Sequence, residues 1–313
     1  MPRRAIPPLS FTGLTRWQAN LLLVFVALIW GSAFVAQSQG MNHIGPMLFT
    51  GTRFLLGTLV VLPFAWREQR ALKAHRLQLN CDDWRSIGFL GLLIGVGAAL
   101  QQIGMVSTTV TNAGFLTALY VPLVPLLAWA LLRQTPHWTV WPAAIACFVG
   151  TYLLSGAQGL SISKGDLWVI ASVLPWAMHV LMVGTVAEKL KAPFTVACGQ
   201  FFVCGILSLI LALITEPVSM AGLSAASNQI LYTGILSVGV AFTGQVIGQR
   251  STQAADAAII LSSETLFAAL FGYLMMSERI GPRGVVGCVL IFTAILLVQL
   301  APLIGRRRAK SSG

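Results

Sequence analysis

The stretch from Ala255 to Met276, ADAAIILSSETLFAALFGYLMM, carries Glu264 within about a turn of its centre. As a helix, its 22 residues would span roughly 33 Å, enough to cross the hydrocarbon core of a bilayer. A carboxylate at that depth costs about 2.5–3.5 kcal/mol or more unless it faces a partner, water or a cavity. Three chemistries suit it: meeting an ammonium group, exchanging a proton, or tying helices together with help from Ser262 or Ser263.

Other polar and aromatic side chains fall at similar depth in other apolar runs. Trp30 and Trp176 lie near the centres of their helices, away from the headgroup belts where Trp concentrates, and suit the lining of a cavity. His179 follows Trp176 by one turn and so shares its face, either as a titrating group or as a satisfied interior residue. Gln101, Gln102 and Gln245 can donate and accept hydrogen bonds, to a polar solute or between helices. Arg53 reads as a structural anchor, bonded to carbonyls or snorkelling to the interface. Asn112 and Asp256 read as helix caps or dipole partners, with Arg250 a candidate counter-charge for Asp256. Pro122 and Pro125 should interrupt the fourth helix and Pro175 should bend the sixth, breaks suited to gating.

These groups do not add up to an enzyme. No Gly precedes a Lys, so a Walker A loop is missing, and no His is followed by Glu, so the H-E-x-x-H zinc motif is missing too. No cofactor or metal is expected. Of the five cysteines, Cys147, Cys198, Cys204 and Cys288 sit in apolar runs and Cys81 in a charged loop, with no C-x-x-C pair. They read as small hydrophobes.

What positions these residues is a membrane. Of 313 residues, 56% are hydrophobic and 9% charged, against about 25% charged in an ordinary soluble domain. The net charge of +11 does not point to nucleic acid, because Lys and Arg gather in loops on one side. Ten apolar segments are expected, at Gln18–Ser38, Pro46–Trp66, Ser86–Val106, Thr111–Leu132, Trp138–Gly156, Asp166–Ala187, Pro193–Ile214, Gln229–Gln249, Ala255–Met276 and Pro282–Ala301. With the N-terminus inside, sixteen basic residues face the cytoplasm and three the opposite side, which places both termini in the cytoplasm. The run from Ala19 to Ala36 is too long for a secretory signal and reads as a retained first helix.

The chain also repeats itself. Trp30 pairs with Trp176, Pro46 and Arg53-Phe54 with Pro193 and Gln200-Phe201, Gly91 and Gln102 with Gly234 and Gln245, and Asn112-Ala113 with Asp256-Ala257. The offsets stay between 143 and 147 residues, and under them Tyr120 corresponds to Glu264. Five helices per half is an odd number, so the second half must insert upside down, as in many secondary transporters. The expected division is a cytoplasmic segment 1–17, a first five-helix repeat 18–156, a linker 157–165, a second repeat 166–301 and a basic tail 302–313.

Trp30-Gly31-Ser32-x-Phe34, Pro46 with Arg53-Phe54, Asn112-Ala113-Gly114-Phe115-Leu116, Asp256-Ala257-Ala258-Ile259-Ile260 and Ser277-Glu278-Arg279 resemble the EamA repeats of the drug/metabolite transporter superfamily. The chain looks most like the YddG-type exporters of aromatic amino acids. One departure is Arg133-Gln134 in the first half where the second has Ser277-Glu278. The resemblance implies ten helices, a central cavity and export out of the cytoplasm; a bacterial inner membrane is the expected location, and the sequence leaves open whether the carrier is a monomer.

The expected function is alternating-access export of aromatic or hydrophobic amino acids. Export of lipophilic cationic drugs and a passive facilitator or channel are the alternatives. Expected around the solute are Trp30, Gln101, Gln102, Tyr120, Trp176, His179, Gln245 and Glu264, with Pro122, Pro125 and Pro175 in the gates. The partners are the solute and the lipid bilayer.

Overall fold

The computed structural model describes residues 14–75, 77–154, 163–276, 279 and 281–311. Arg3, Arg4, Arg76, the Ser277-Glu278 ending and most of the 157–165 linker lie outside them. Every regular element among the described residues is helical.

The helices are α1 (Arg16–Gly40), α2 (Pro46–Ala74), α3 (Cys81–Met105), α4 (Val110–Thr117), α5 (Tyr120–Leu132), α6 (Val140–Leu154), α7 (Lys164–Leu190) and α8 (Pro193–Thr215). There follow α9 (Met220–Ala225), α10 (Ser227–Tyr232), a π-helical segment (Thr233–Phe242), α11 (Thr243–Gly248), α12 (Ala254–Leu261), α13 (Glu264–Met276) and α14 (Pro282–Ser311). Eight stretches are long and apolar enough to cross a membrane, and Val140–Leu153 and Pro282–Val298 are shorter apolar helices. The chain is therefore an all-helical, polytopic membrane protein.

Local chemistry starts the helices in equivalent ways. Thr15 with Gln18 closes a capping box on α1, and Ser163 with Asp166 closes one on α7, 148 residues later. Each box satisfies donors that the first turn otherwise leaves free. Proline leads α2 and α8 (Pro46 and Pro193), where a missing N–H costs nothing.

The pairing of α2 with α8 shows how the halves are joined. Glu68, near the end of α2, accepts hydrogen bonds from Thr195 N and Thr195 Oγ1 at the start of α8, both at 2.7 Å. Glu216, just past α8, accepts from Met47 N at 2.7 Å and Leu48 N at 2.8 Å at the start of α2. The two equivalent helices thus run antiparallel, each capped by a carboxylate carried on the other, at the positive end of its dipole.

Other contacts place the same elements at two ends. One end gathers the start of α1, the ends of α2, α7 and α11, and the starts of α3, α8 and α12, through Arg16–Asp256, Lys189–Asp83 and the approach of Gly248 to Leu23. The other end gathers the ends of α3 and α8 with the starts of α2, α4 and α7.

Three expected helices are not continuous. The fourth breaks at Ala118–Leu119 between α4 and α5, and the ninth at Ser262–Ser263 between α12 and α13, positions 144 residues apart. In the fourth, Pro122 has no N–H to give Ala118 O, which is bonded instead by Val121 N at 3.0 Å. The ninth has no proline there. Its Ser262, Ser263 and Thr265 hydroxyls bond back to the carbonyls of Ile259, Ile260 and Ser262 at 2.6, 2.7 and 2.8 Å. Such bonds compete with the helical ladder and satisfy carbonyls that a break frees inside a bilayer. The two serines expected to assist Glu264 are therefore committed to backbone. The eighth helix carries the ten-residue π segment, a distortion that often accompanies function. By contrast α5 carries Pro125, and α7 Pro175, without interruption. The short α9 lies in a connection that the apolar pattern left without structure.

Candidate functional site

Both breaks end on residues of interest. Tyr120 is the first residue of α5 and Glu264 the first of α13, so the interrupted helices deliver equivalent positions into the space between the halves. That space is a narrow cavity of about 50 Å³, tighter than an occupied small-molecule site. Trp30, Gln101, Tyr120, Trp176, Gln245 and Glu264 all line it.

Its apolar wall is organised by Phe242, the last residue of the π segment. The Phe242 ring lies 4.6 Å from Trp30 and stacks on Trp176 at 6.0 Å, centroid to centroid, so it joins the two tryptophans. Phe54 and Phe201 support it from behind at 5.7 and 6.0 Å. Aromatic pairs at such distances add about 0.5–1.5 kcal/mol each beyond burial. Trp30 Nε1 donates to Ser237 O at 3.3 Å, which fixes that indole. Two glycines admit the tryptophans. A Cβ on Gly97 would stand 3.1 Å from the Trp176 ring, and one on Gly31 would stand 2.4 Å from Phe267 Cβ and 2.8 Å from Glu264 O. Gly31 therefore lets α1 pack directly against the start of α13, one residue from Trp30.

The polar wall is under-satisfied. Gln101 Nε2 donates to Thr117 Oγ1 at 2.7 Å, and Thr117 passes its proton to Ala113 O at 2.7 Å, so the α3–α4 side of the wall is fixed. Gln37 Oε1, Gln245 Oε1 and Trp176 Nε1 are buried with no hydrogen-bond partner among the described residues. Glu264 is 4% exposed and Arg53 3% exposed, both line the cavity, and neither takes part in an ion pair among the described residues. Unpaired charges in such surroundings are costly, and each orphaned group asks for an explanation such as water, an ion or a ligand.

Arg53 differs from the sequence expectation. Among the described residues it bonds no carbonyl, it is buried, and its neighbours include the rings of Phe54 at 5.1 Å and Phe49 at 5.8 Å. Gln102 and His179 stand outside the lining. The Gln102 amide turns away to Met41 Sδ at 3.1 Å, and His179 Nε2 is held by Gln200 Oε1 at 3.0 Å, on the far edge of Trp176. Gln37, Arg53, Phe34, Thr117, Ser237 and Phe242 join the lining unforeseen. Only Arg53 had carried a signal, as a lone charge inside an apolar run.

Asn112 and Asp256 act differently from simple caps. The α4 cap is Thr109, and α12 has no side-chain cap. Asp256 pairs with Arg16 of α1 at 2.7 Å, while Arg250 faces Glu188 at 3.5 Å instead of Asp256. At the opposite end, Asn112 Nδ2 and Thr108 Oγ1 donate to Asp166 of α7 at 2.6 and 2.7 Å. Each half thus locks the start of its interrupted helix to the first helix of the other half, once at each end of the molecule.

Comparison with known proteins agrees with this architecture. The profile of the EamA-like transporter family matches residues 17–156 and 163–300. An uncharacterised transporter of Archaeoglobus fulgidus is 31% identical, over 92% of this chain and 88% of its own. The uncharacterised transporter YoaV of Bacillus subtilis is 23% identical, over 88% of this chain and 94% of its own. A WAT1-related chloroplastic protein of Arabidopsis thaliana is 22% identical, over 89% of this chain and 68% of its own. One solved crystal structure shares the fold with a TM-score of 0.75 at 18% identity, covering 92% of this chain and 99% of that one. With two family repeats spanning nearly its whole length, this chain belongs to the EamA-like transporter family of multi-pass membrane proteins.

Proposed function

We propose that the protein exports small amphipathic metabolites, with aromatic and hydrophobic amino acids as the leading class, from the cytoplasm across a bacterial inner membrane. Ten spans in two inverted repeats, with both termini cytoplasmic, are the topology for this reading. The observation that carries it is the cavity where the two interrupted helices meet, in which two tryptophans joined by Phe242 face Arg53 and Glu264, neither of them ion-paired among the described residues. An aromatic wall suits an apolar side chain, and the polar groups suit the ends of a zwitterion.

Alternating access is the natural mechanism for such a site. The Arg16–Asp256 lock and the Asp166–Asn112 lock close opposite ends, and breaking one at a time would open the cavity to one side. Among the described residues the lining holds three titratable or charged side chains, Arg53, Tyr120 and Glu264, and Glu264 is the one suited to exchange a proton during the cycle.

A second reading, export of lipophilic cations, draws on Glu264 and the aromatic wall. Transport of labelled amino acids and of cationic dyes into proteoliposomes, with and without a pH gradient, separates the two. Saturable dye transport with indifference to every amino acid would overturn the first.

A further inference from the structure

We propose that Arg53 is the carboxylate-binding residue of the cavity, so that the transported solute must carry a carboxylate. The inference rests on the amino-acid reading only in assigning the solute's ammonium group to Glu264.

The repeat explains why Arg53 is free. In the second half, Gln200 occupies the place of Arg53, and His179, three residues after Trp176, takes it up in a hydrogen bond of 3.0 Å. In the first half, the residue three after Trp30 is Ala33, which has nothing to offer. One polar residue of the symmetric pair is therefore tied to its own half, and the other is left facing the cavity. Arg53 Nε has no partner among the described residues, and no carboxylate among them lies in ion-pair range of its guanidinium. The neighbouring Phe49 and Phe54 rings hold the cation in place but accept no conventional hydrogen bond.

A guanidinium is always charged and presents a planar fork of donors that matches a carboxylate in two parallel bonds. Two of the other orphaned groups in the lining fit the ammonium end of a zwitterion. Gln37 Oε1 and Gln245 Oε1 are acceptors, as is the Glu264 carboxylate, and an ammonium group brings three donors. The aromatic wall of Trp30, Phe242 and Trp176 then receives the side chain. A lipophilic cation would satisfy Glu264 and leave Arg53 unpaired beside it.

The test is binding to the purified full-length protein of matched probes: tryptophan, indole-3-propionate, which lacks the ammonium group, and tryptamine, which lacks the carboxylate. Leucine, 4-methylpentanoate and isoamylamine form a smaller set. The wild type should bind tryptophan and indole-3-propionate, or their smaller counterparts. Arg53→Gln should weaken both at least tenfold. Thermal unfolding of the variant in detergent at the wild-type temperature reports that it is folded. Arg53→Lys, which keeps the charge without the fork, should fall between. If Arg53→Gln does not fold, the wild-type ranking and Arg53→Lys still decide. Equal binding of the carboxylate probes by wild type and Arg53→Gln overturns the role of Arg53 and leaves the amino-acid reading standing. Selective loss of the simple carboxylate with no binding of either amino acid upholds Arg53 and overturns the amino-acid reading. Binding of amines alone, or of no carboxylate probe in either set, overturns the proposal.

Discussion

Tyr120 and Glu264 occupy the same place in the two halves, each the first helical residue after a break and 144 residues apart. Equivalent geometry thus carries unlike chemistry, a phenol on one side of the cavity and a carboxyl on the other. A site built in this way is symmetric in backbone and polar in one direction, which is what an asymmetric solute needs.

Glu264 is placed to exchange a proton because no ion pair among the described residues commits it. Glu264→Gln removes the exchangeable proton and keeps the shape. Accumulation driven by a pH gradient should fall at least tenfold, while solute exchange at equal pH persists. Undiminished gradient-driven accumulation in proteoliposomes would exclude a proton role.

Phe242 is the hub between Trp30 and Trp176, so its loss should be felt in both stability and transport. Phe242→Ala should cost about 3–5 kcal/mol, the range for truncating a buried aromatic. Trp30→Ala and Trp176→Ala should each raise the half-saturation concentration for an aromatic solute about tenfold. Thermal unfolding in detergent and initial transport rates check the two effects separately.

The glycines beside the tryptophans should behave differently from each other. Gly31→Ala puts a methyl 2.4 Å from Phe267 Cβ and 2.7 Å from a backbone nitrogen, so α1 must move away from α13 and folded yield should drop. For Gly97→Ala the nearest atoms belong to the Trp176 ring, the closest at 3.1 Å, and no backbone stands nearer. It should keep the fold and impair transport. Equal thermal stability of the two variants would contradict the packing described.

The reciprocal caps should add up. Glu68→Gln and Glu216→Gln each weaken charge-assisted bonds to a helix start, worth about 1.5–3 kcal/mol apiece. Because the two sites lie at opposite ends of the α2–α8 pair, the double variant should lose the sum to within about 0.5 kcal/mol. Chemical unfolding of the three variants measures this.

The two locks should bias the molecule in opposite directions. Arg16→Ala removes the pair with Asp256, and Asp166→Ala removes the acceptor of Thr108 and Asn112. Labelling of a cysteine introduced at a lining position should then rise from one face of the membrane in the first variant and from the other face in the second. Labelling from the same face in both would argue against two opposed gates.

The one-dimensional pattern determined the architecture. Apolar runs near membrane length, the bias of basic residues and a repeat of about 144 residues are properties of composition and spacing, so the helical membrane class and the family resemblance could be read from them. The midplane residues that stand out for type alone, Trp30, Trp176, Tyr120, Gln101, Gln245 and Glu264, were legible for the same reason, since a polar or large aromatic group in an apolar run is rare. Which of two equivalent polar residues is free was not legible. His179 hydrogen-bonds Gln200, whereas no side chain among the described residues hydrogen-bonds Arg53, and that depends on side chains from different helices meeting in space. The breaks were half legible: Pro122 marks one, but at Ser262–Ser263 the same break is made by hydroxyls folding back onto carbonyls. Phe242 left no trace among sixteen phenylalanines, because only the π segment turns it between the two tryptophans. Pattern decides which residues are apolar enough for the membrane; only the tertiary structure decides which of them find partners and which line the cavity.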